Sequence, residues 1–95
     1  MDNLIVYSEA EFDGLSAKVY SKDDGFFFAN NLVVYDDHNN ELWRICDLFP
    51  KAPNLTVGEV WKIDDSTLGV YNLAGITYEI DIYERVVKKE TYSRF

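Results

Sequence analysis

His38 is the single histidine of the chain, and it lies in the run Asp36-Asp37-His38-Asn39-Asn40. An imidazole beside a carboxylate is the pairing that general-base catalysis uses, because the carboxylate orients the ring. Asp36, His38 and Glu41 are also close enough in sequence to meet one cation. Either chemistry needs a water-excluding site or ligands held at set spacing. A run of Asp, His and Asn between two apolar segments supplies a solvated turn instead, so His38 reads as a turn residue. Two more acid pairs, Asp23-Asp24 and Asp64-Asp65, sit in similar runs. None has the alternating oxygen ligands, central glycine and closing glutamate of an EF-hand loop. Aspartate accepts hydrogen bonds from the backbone two residues on, and that accounts for acids at turns. Cys46, the single cysteine, lies in an apolar run and reads as a buried, inert thiol. No spacing points to a Ser-His-Asp or Cys-His arrangement, and no glycine-rich phosphate cradle is present. The chain is therefore expected to be non-enzymatic, with no metal and no cofactor.

The elements that carry these residues are strands. Val33-Val34-Tyr35 and Leu42-Trp43-Arg44-Ile45 flank the His38 turn as two runs of β-branched and aromatic residues, the pattern of a hairpin. Neither face of the second run is cleanly polar, which suggests a strand covered on both sides and reaching Asp47. Leu15, Ala17 and Val19 alternate with Ser16 and Lys18, and Ile76, Tyr78, Ile80 and Ile82 alternate with Thr77, Glu79 and Asp81. A period of two with one polar face indicates antiparallel sheet. Asn30-Asn31 reads as a bulge or a turn. Phe26-Phe27-Phe28 cannot all face one way, so at least one ring is expected on a second apolar surface or against a partner. Ser8-Glu9-Ala10-Glu11 has the form of a capping box, with Gly14 as a left-handed stop, so 9–13 reads as a single helical turn or a polar loop. Both prolines fall within 48–54, a crossing loop that divides the strands into two sheets or two halves of one. The fold class is all-β: one domain, residues 1–95, of seven or eight antiparallel strands in a meander of hairpins, either open and half-propeller-like or a sandwich. Residues 88–95 read as a flexible basic tail, unless Tyr92 and Phe95 dock it.

Charge gives the clearest functional direction. Seventeen acids face nine bases, for a net charge of −8. Residues 1–83 hold fifteen of the acids and five of the bases. Phosphate binding needs clustered Lys and Arg, so direct nucleic-acid binding is disfavoured. No signal peptide and no apolar run of bilayer length is seen, so a cytoplasmic location and no membrane contact are expected. An acidic field steers basic partners. Aromatic residues make up 16% of the chain, enough to supply anchors at an interface.

Two resemblances follow. Val34-Tyr35-Asp36-Asp37 with Glu41-Leu42-Trp43-Arg44-Ile45 resembles adjacent strands of a β-propeller blade, although the chain is too short to close a ring. As a whole, a short, acidic, aromatic-rich chain without catalytic residues resembles the bacterial immunity proteins of contact-dependent growth inhibition systems. That resemblance implies a monomer that forms a heterodimer with a basic toxin domain, a nuclease, and blocks its active site. The acid pairs are expected to gather on one rim, with Asp23, Asp24, Asp36, Asp37, Asp64 and Asp65 as contacts and Tyr35, Glu41 and Trp43 beside them. The alternative is an assembly module of a phage or secretion system that oligomerises through a strand edge.

Overall fold

A computed structural model describes residues 3–92. The chain is all-β. Four strands, β1 (Leu4–Phe12), β2 (Leu15–Lys22), β3 (Phe27–Asp36) and β4 (Glu41–Arg44), form one antiparallel meander. A short helix, α1 (Ile45–Leu48), and the proline loop lead to a second meander of β5 (Val57–Lys62), β6 (Thr67–Asn72), β7 (Ile76–Asp81) and β8 (Val86–Tyr92). The two sheets enclose one core. Ala17, Val19, Leu32, Val34 and Trp43 enter it from the first, and Val60, Leu68, Val70, Tyr78 and Ile80 from the second.

The expected alternation is present in β2 and β7, where every second residue is buried. In β5 a bulge between Val57 and Glu59 shifts the phase, so Val57 and Val60 both point inward. Gly69 of β6 is the floor under Trp61. A Cβ there would collide with the Trp61 indole, so glycine is what lets the ring rest on the strand.

Three expectations are corrected. Residues 9–12 are strand, not a helical turn, because Ala10 and Phe12 enter the core while Glu9 and Glu11 stay outside, a period of two. The Ser8 hydroxyl, instead of capping a helix, donates to Val60 O at 3.2 Å and accepts from Val60 N–H at 3.1 Å. Gly14, at φ 76°, turns the β1–β2 hairpin. The helix lies at Ile45–Leu48, where strand was expected to continue: Asp47 Oδ2 accepts the Arg44 N–H at 2.8 Å and closes a first helical turn. β4 is covered on one face only, with Trp43 inward and Leu42 exposed. Lys88–Tyr92, expected within a tail, pair with β7 as most of β8. Residues 93–95 of that tail lie outside the described residues.

The sheets are joined by side chains as well as by the core. Asn31 is fully buried. Its Nδ2 donates to Val57 O at 2.8 Å and Tyr20 O at 3.0 Å, and its Oδ1 accepts from Val57 N–H at 2.8 Å. Beside it Asn30 takes a left-handed backbone (φ 58°), and its Oδ1 accepts the Cys46 N–H at 2.9 Å. This pair is the bulge that the sequence indicates, and it ties β2, β3, α1 and β5 together.

Candidate functional site

In a meander, consecutive hairpin turns fall at opposite ends of the sheet. The turn over 36–40 therefore lies beside the β1–β2 turn, and the two frame a small polar groove of about 230 Å³ that includes Glu11, Lys18, Asp36 and Asp37. The second sheet brings its 63–66 and 82–85 turns to one end of its own strands. Tyr83 Oη donates to Asp13 O at 2.7 Å, which seats that end next to the first. Asp36, Asp37, Asp64 and Asp65 thus share one end of the molecule with Glu11, Asp13, Asp81 and Glu84. Lys18, Lys62 and Arg85 are interspersed there.

Asp23 and Asp24 are not part of this group. They turn β2 into β3 at the far end of the sheet, because β3 separates their turn from that of Asp36. Trp43 is also removed from the proposed contact set. It is 3% exposed and faces the core opposite Val34, so its ring is closed to a partner. Tyr35 and Glu41 are cross-strand neighbours on the outer face of the first sheet. Tyr35 Oη meets Tyr20 Oη at 2.7 Å, and Lys18 Nζ lies 5.6 Å from the Tyr35 ring centroid. Burial, then the Tyr20 hydrogen bond, push the Tyr35 phenol up to about 12. Glu41 receives two bonds from Arg44, at 3.0 and 3.1 Å, and these hold its carboxyl below the usual range.

The acids at the shared end divide into two kinds. Asp36 Oδ1 accepts from His38 N–H at 2.8 Å and Asn40 N–H at 2.9 Å, and its Oδ2 accepts from Asn40 Nδ2 at 3.1 Å. Asp64 Oδ1 accepts from Ser66 N–H at 3.0 Å, and Asp81 Oδ1 from the N–H groups of Tyr83 and Glu84 at 3.0 and 2.9 Å. These carboxylates hold their own turns, as the turn reading of the sequence expects. Asp37 and Asp65 face solvent. Asp37 lies 3.6 Å from His38 Nε2 and Asp65 lies 3.7 Å from Lys62 Nζ, exposed pairs of small energetic weight. With the exposed Glu11, Asp13 and Glu84, they are charges at this end that hold no turn.

Comparison with protein-family models, with curated proteins and with solved structures finds no match. The residues themselves must carry the functional reading.

His38 sits on an open turn, its side chain 81% exposed. Among the described residues no group of three or more His, Cys, Asp or Glu side chains comes together as a metal-binding set. The Cys46 thiol is half-buried, with Sγ 3.6 Å from Ala52 O, and burial pushes its pKa up, away from the reactive thiolate. The described part of the chain contains no helix long and apolar enough to cross a membrane.

The turn-holding acids predict an acid-sensitive fold. The Asn40 and Ser66 hydrogen bonds depress the carboxyls of Asp36 and Asp64 respectively. A depressed carboxyl contributes stability that is present above its unfolded pKa, about 3.9, and is lost as pH falls through the folded value. The urea midpoint is thus expected to fall as pH drops below about 4. Asp36→Asn keeps an acceptor oxygen but removes the titration, so its midpoint should fall less between pH 6 and pH 3 than that of the wild type. Parallel curves for the two proteins would show that Asp36 does not contribute to this dependence.

Proposed function

We propose that this chain is a non-enzymatic binding protein that captures a basic protein domain, a nuclease toxin in the immunity-protein reading, and occludes its nucleic-acid cleft. One observation carries the reading: the Asp36-Asp37 and Asp64-Asp65 turns, from different sheets, lie at one end of the fold with Asp37 and Asp65 free to face a partner. Carboxylates there would take the place of backbone phosphates in a cationic cleft. Such contacts speed encounter and, where they are desolvated, contribute on the order of 1.5–7 kcal/mol per close charge pair. In this reading the chain is a cytoplasmic monomer until it meets its partner.

The edge-assembly alternative gains no support from β8, although β1, an edge of the first sheet, begins with the uncharged run Leu4–Tyr7. β8 is the free edge of the second sheet, but it carries Lys88 and Lys89 and a bulge next to them. Lysines and bulges are devices that discourage edge pairing. Lys88 is also turned back into the fold, donating to Thr67 Oγ1.

A direct test uses the C-terminal domain of the protein encoded immediately upstream. Purified and mixed with plasmid DNA or total RNA, it should cleave. One equivalent of this chain should stop cleavage, and salt of about 0.5 M should weaken the complex. A domain without nuclease activity, or cleavage that continues in the presence of excess chain, would rule the reading out.

A further inference from the structure

The end of the molecule away from the Asp36 and Asp64 turns is apolar. Tyr7, Phe26 and Leu73 are 58%, 67% and 48% exposed. Tyr7 packs edge-on against Phe27, with ring centroids 4.9 Å apart. Two shallow grooves, of about 440 and 500 Å³, meet at Phe27 and Leu73. The first runs past Tyr7 and Tyr71, and the second past Phe26 and Asn54. Leu4, Ile5 and Val6 extend the exposed apolar run along β1. Single exposed apolar side chains are ordinary on a monomer, whereas a contiguous patch marks an interaction surface. The contrast with β8 is informative: that edge carries two lysines, while Leu4–Tyr7 carries no charge at all. Phe26, exposed at this end, is the ring of Phe26-Phe27-Phe28 available to meet a partner.

The charge around this patch selects its occupant. Among the described residues, Glu59 is the only charged one lining either groove. Asp23 and Asp24 precede Gly25-Phe26 at the rim, and the Asp23 N–H donates to Asn3 O, which holds their turn against the start of β1. An apolar floor with acidic borders favours an apolar segment flanked by cations and repels one flanked by anions.

We infer that this end is a second binding surface, one that takes an extended peptide segment whose apolar or aromatic side chains fill the two grooves and whose flanking Lys or Arg meets Glu59 and the Asp23-Asp24 turn. The surface is separate from the acidic end and does not depend on the nuclease reading.

The test uses two fluorescein-labelled peptides, Gly-Lys-Leu-Trp-Leu-Lys-Gly and the same peptide with Glu in place of Lys. Fluorescence polarisation should show the Lys peptide binding at least about tenfold more tightly, a difference set by the acidic border. Amide NMR shifts on adding it should centre on Tyr7, Phe27, Glu59 and Leu73. Phe26→Ser and Glu59→Lys alter exposed side chains and should each weaken binding about fivefold or more. Asp37→Lys, at the other end, should leave peptide affinity within about twofold, since it lies beyond the screening length. Equal affinity for the two peptides, the absence of saturable binding, or shifts centred on the Asp36 turn would overturn the inference. The nuclease assay leaves it untouched whatever its result.

Discussion

Asn31→Ala is expected to lower unfolding stability by about 3–5 kcal/mol, because it orphans the buried N–H and C=O of Val57 at once. A domain of this size has about 5–15 kcal/mol in total, so the variant should be marginal. Both Nδ2 hydrogens and the Oδ1 of Asn31 are engaged, with Tyr20 O and with both peptide groups of Val57. The side chain acts as a piece of backbone. It fills the gap where the β2–β3 register breaks between Val19 and Ser21, and it holds the first residue of β5. Removing it leaves the Val57 N–H and C=O in a site closed to water and takes a partner from the half-buried Tyr20 carbonyl. Each such group costs roughly 1–3 kcal/mol when left without a partner, and the cavity adds to that. Asn31→Asp separates the two causes. It retains the size and the acceptor for Val57 N–H but points an anionic oxygen at two carbonyls. The buried carboxyl is then raised above its unfolded pKa, so this variant should recover stability as pH falls from its folded value towards its unfolded value. Urea titration at two pH values reads both effects. A loss of less than about 1 kcal/mol in Asn31→Ala would show that water or relaxation satisfies those groups.

Asn31 also shows where sequence reading stops. A bulge at Asn30-Asn31 was legible, because Asn tolerates the left-handed backbone. Its partners were not, since Tyr20 and Val57 are 11 and 26 residues away. The strands were legible wherever one face is wet, as in Ile76–Ile82, because burial then enforces a period of two. At Ser8–Glu11 the capping chemistry pointed to a helix, but the burial of Ala10 and Phe12 outweighed a few tenths to about 1 kcal/mol of local preference. Burial of Trp43 depends on which way a four-residue strand faces next to a bulge, and parity cannot be counted across a bulge. The separation of Asp23-Asp24 from Asp36-Asp37 was within reach of sequence reasoning. The two pairs bracket β3, and a ten-residue strand places its ends about 30 Å apart. A single rim holding every acid pair is incompatible with a meander. What a meander permits is every second turn of a sheet at one end, and the Tyr83–Asp13 contact joins such ends across the two sheets.

That geometry sharpens the partner-binding prediction. Reversing Asp36 would remove a charge and dismantle a turn together, so lost binding would say little. Asp37 and Asp65 face solvent and hold no turn, and Asp37→Lys/Asp65→Lys should fold normally. Each reversal shifts the charge facing the partner by two. If the acidic end steers a basic domain, the double variant should associate about 10–100-fold more slowly at low salt, with a smaller change in dissociation. The effect should shrink as salt rises past about 0.15 M, where the screening length is about 8 Å. Glu90→Lys, on the β8 edge, changes the net charge as much as either single reversal but lies away from this end. It should alter association by no more than about threefold. Surface plasmon resonance over a salt series makes the comparison. Should Glu90→Lys slow association as much as Asp65→Lys, the whole-molecule charge of −8 would be sufficient, and the gathering of the turns would have no part in recognition. If the site-specific difference holds, the encounter is directed by two turns from different sheets, which only the folded arrangement brings together.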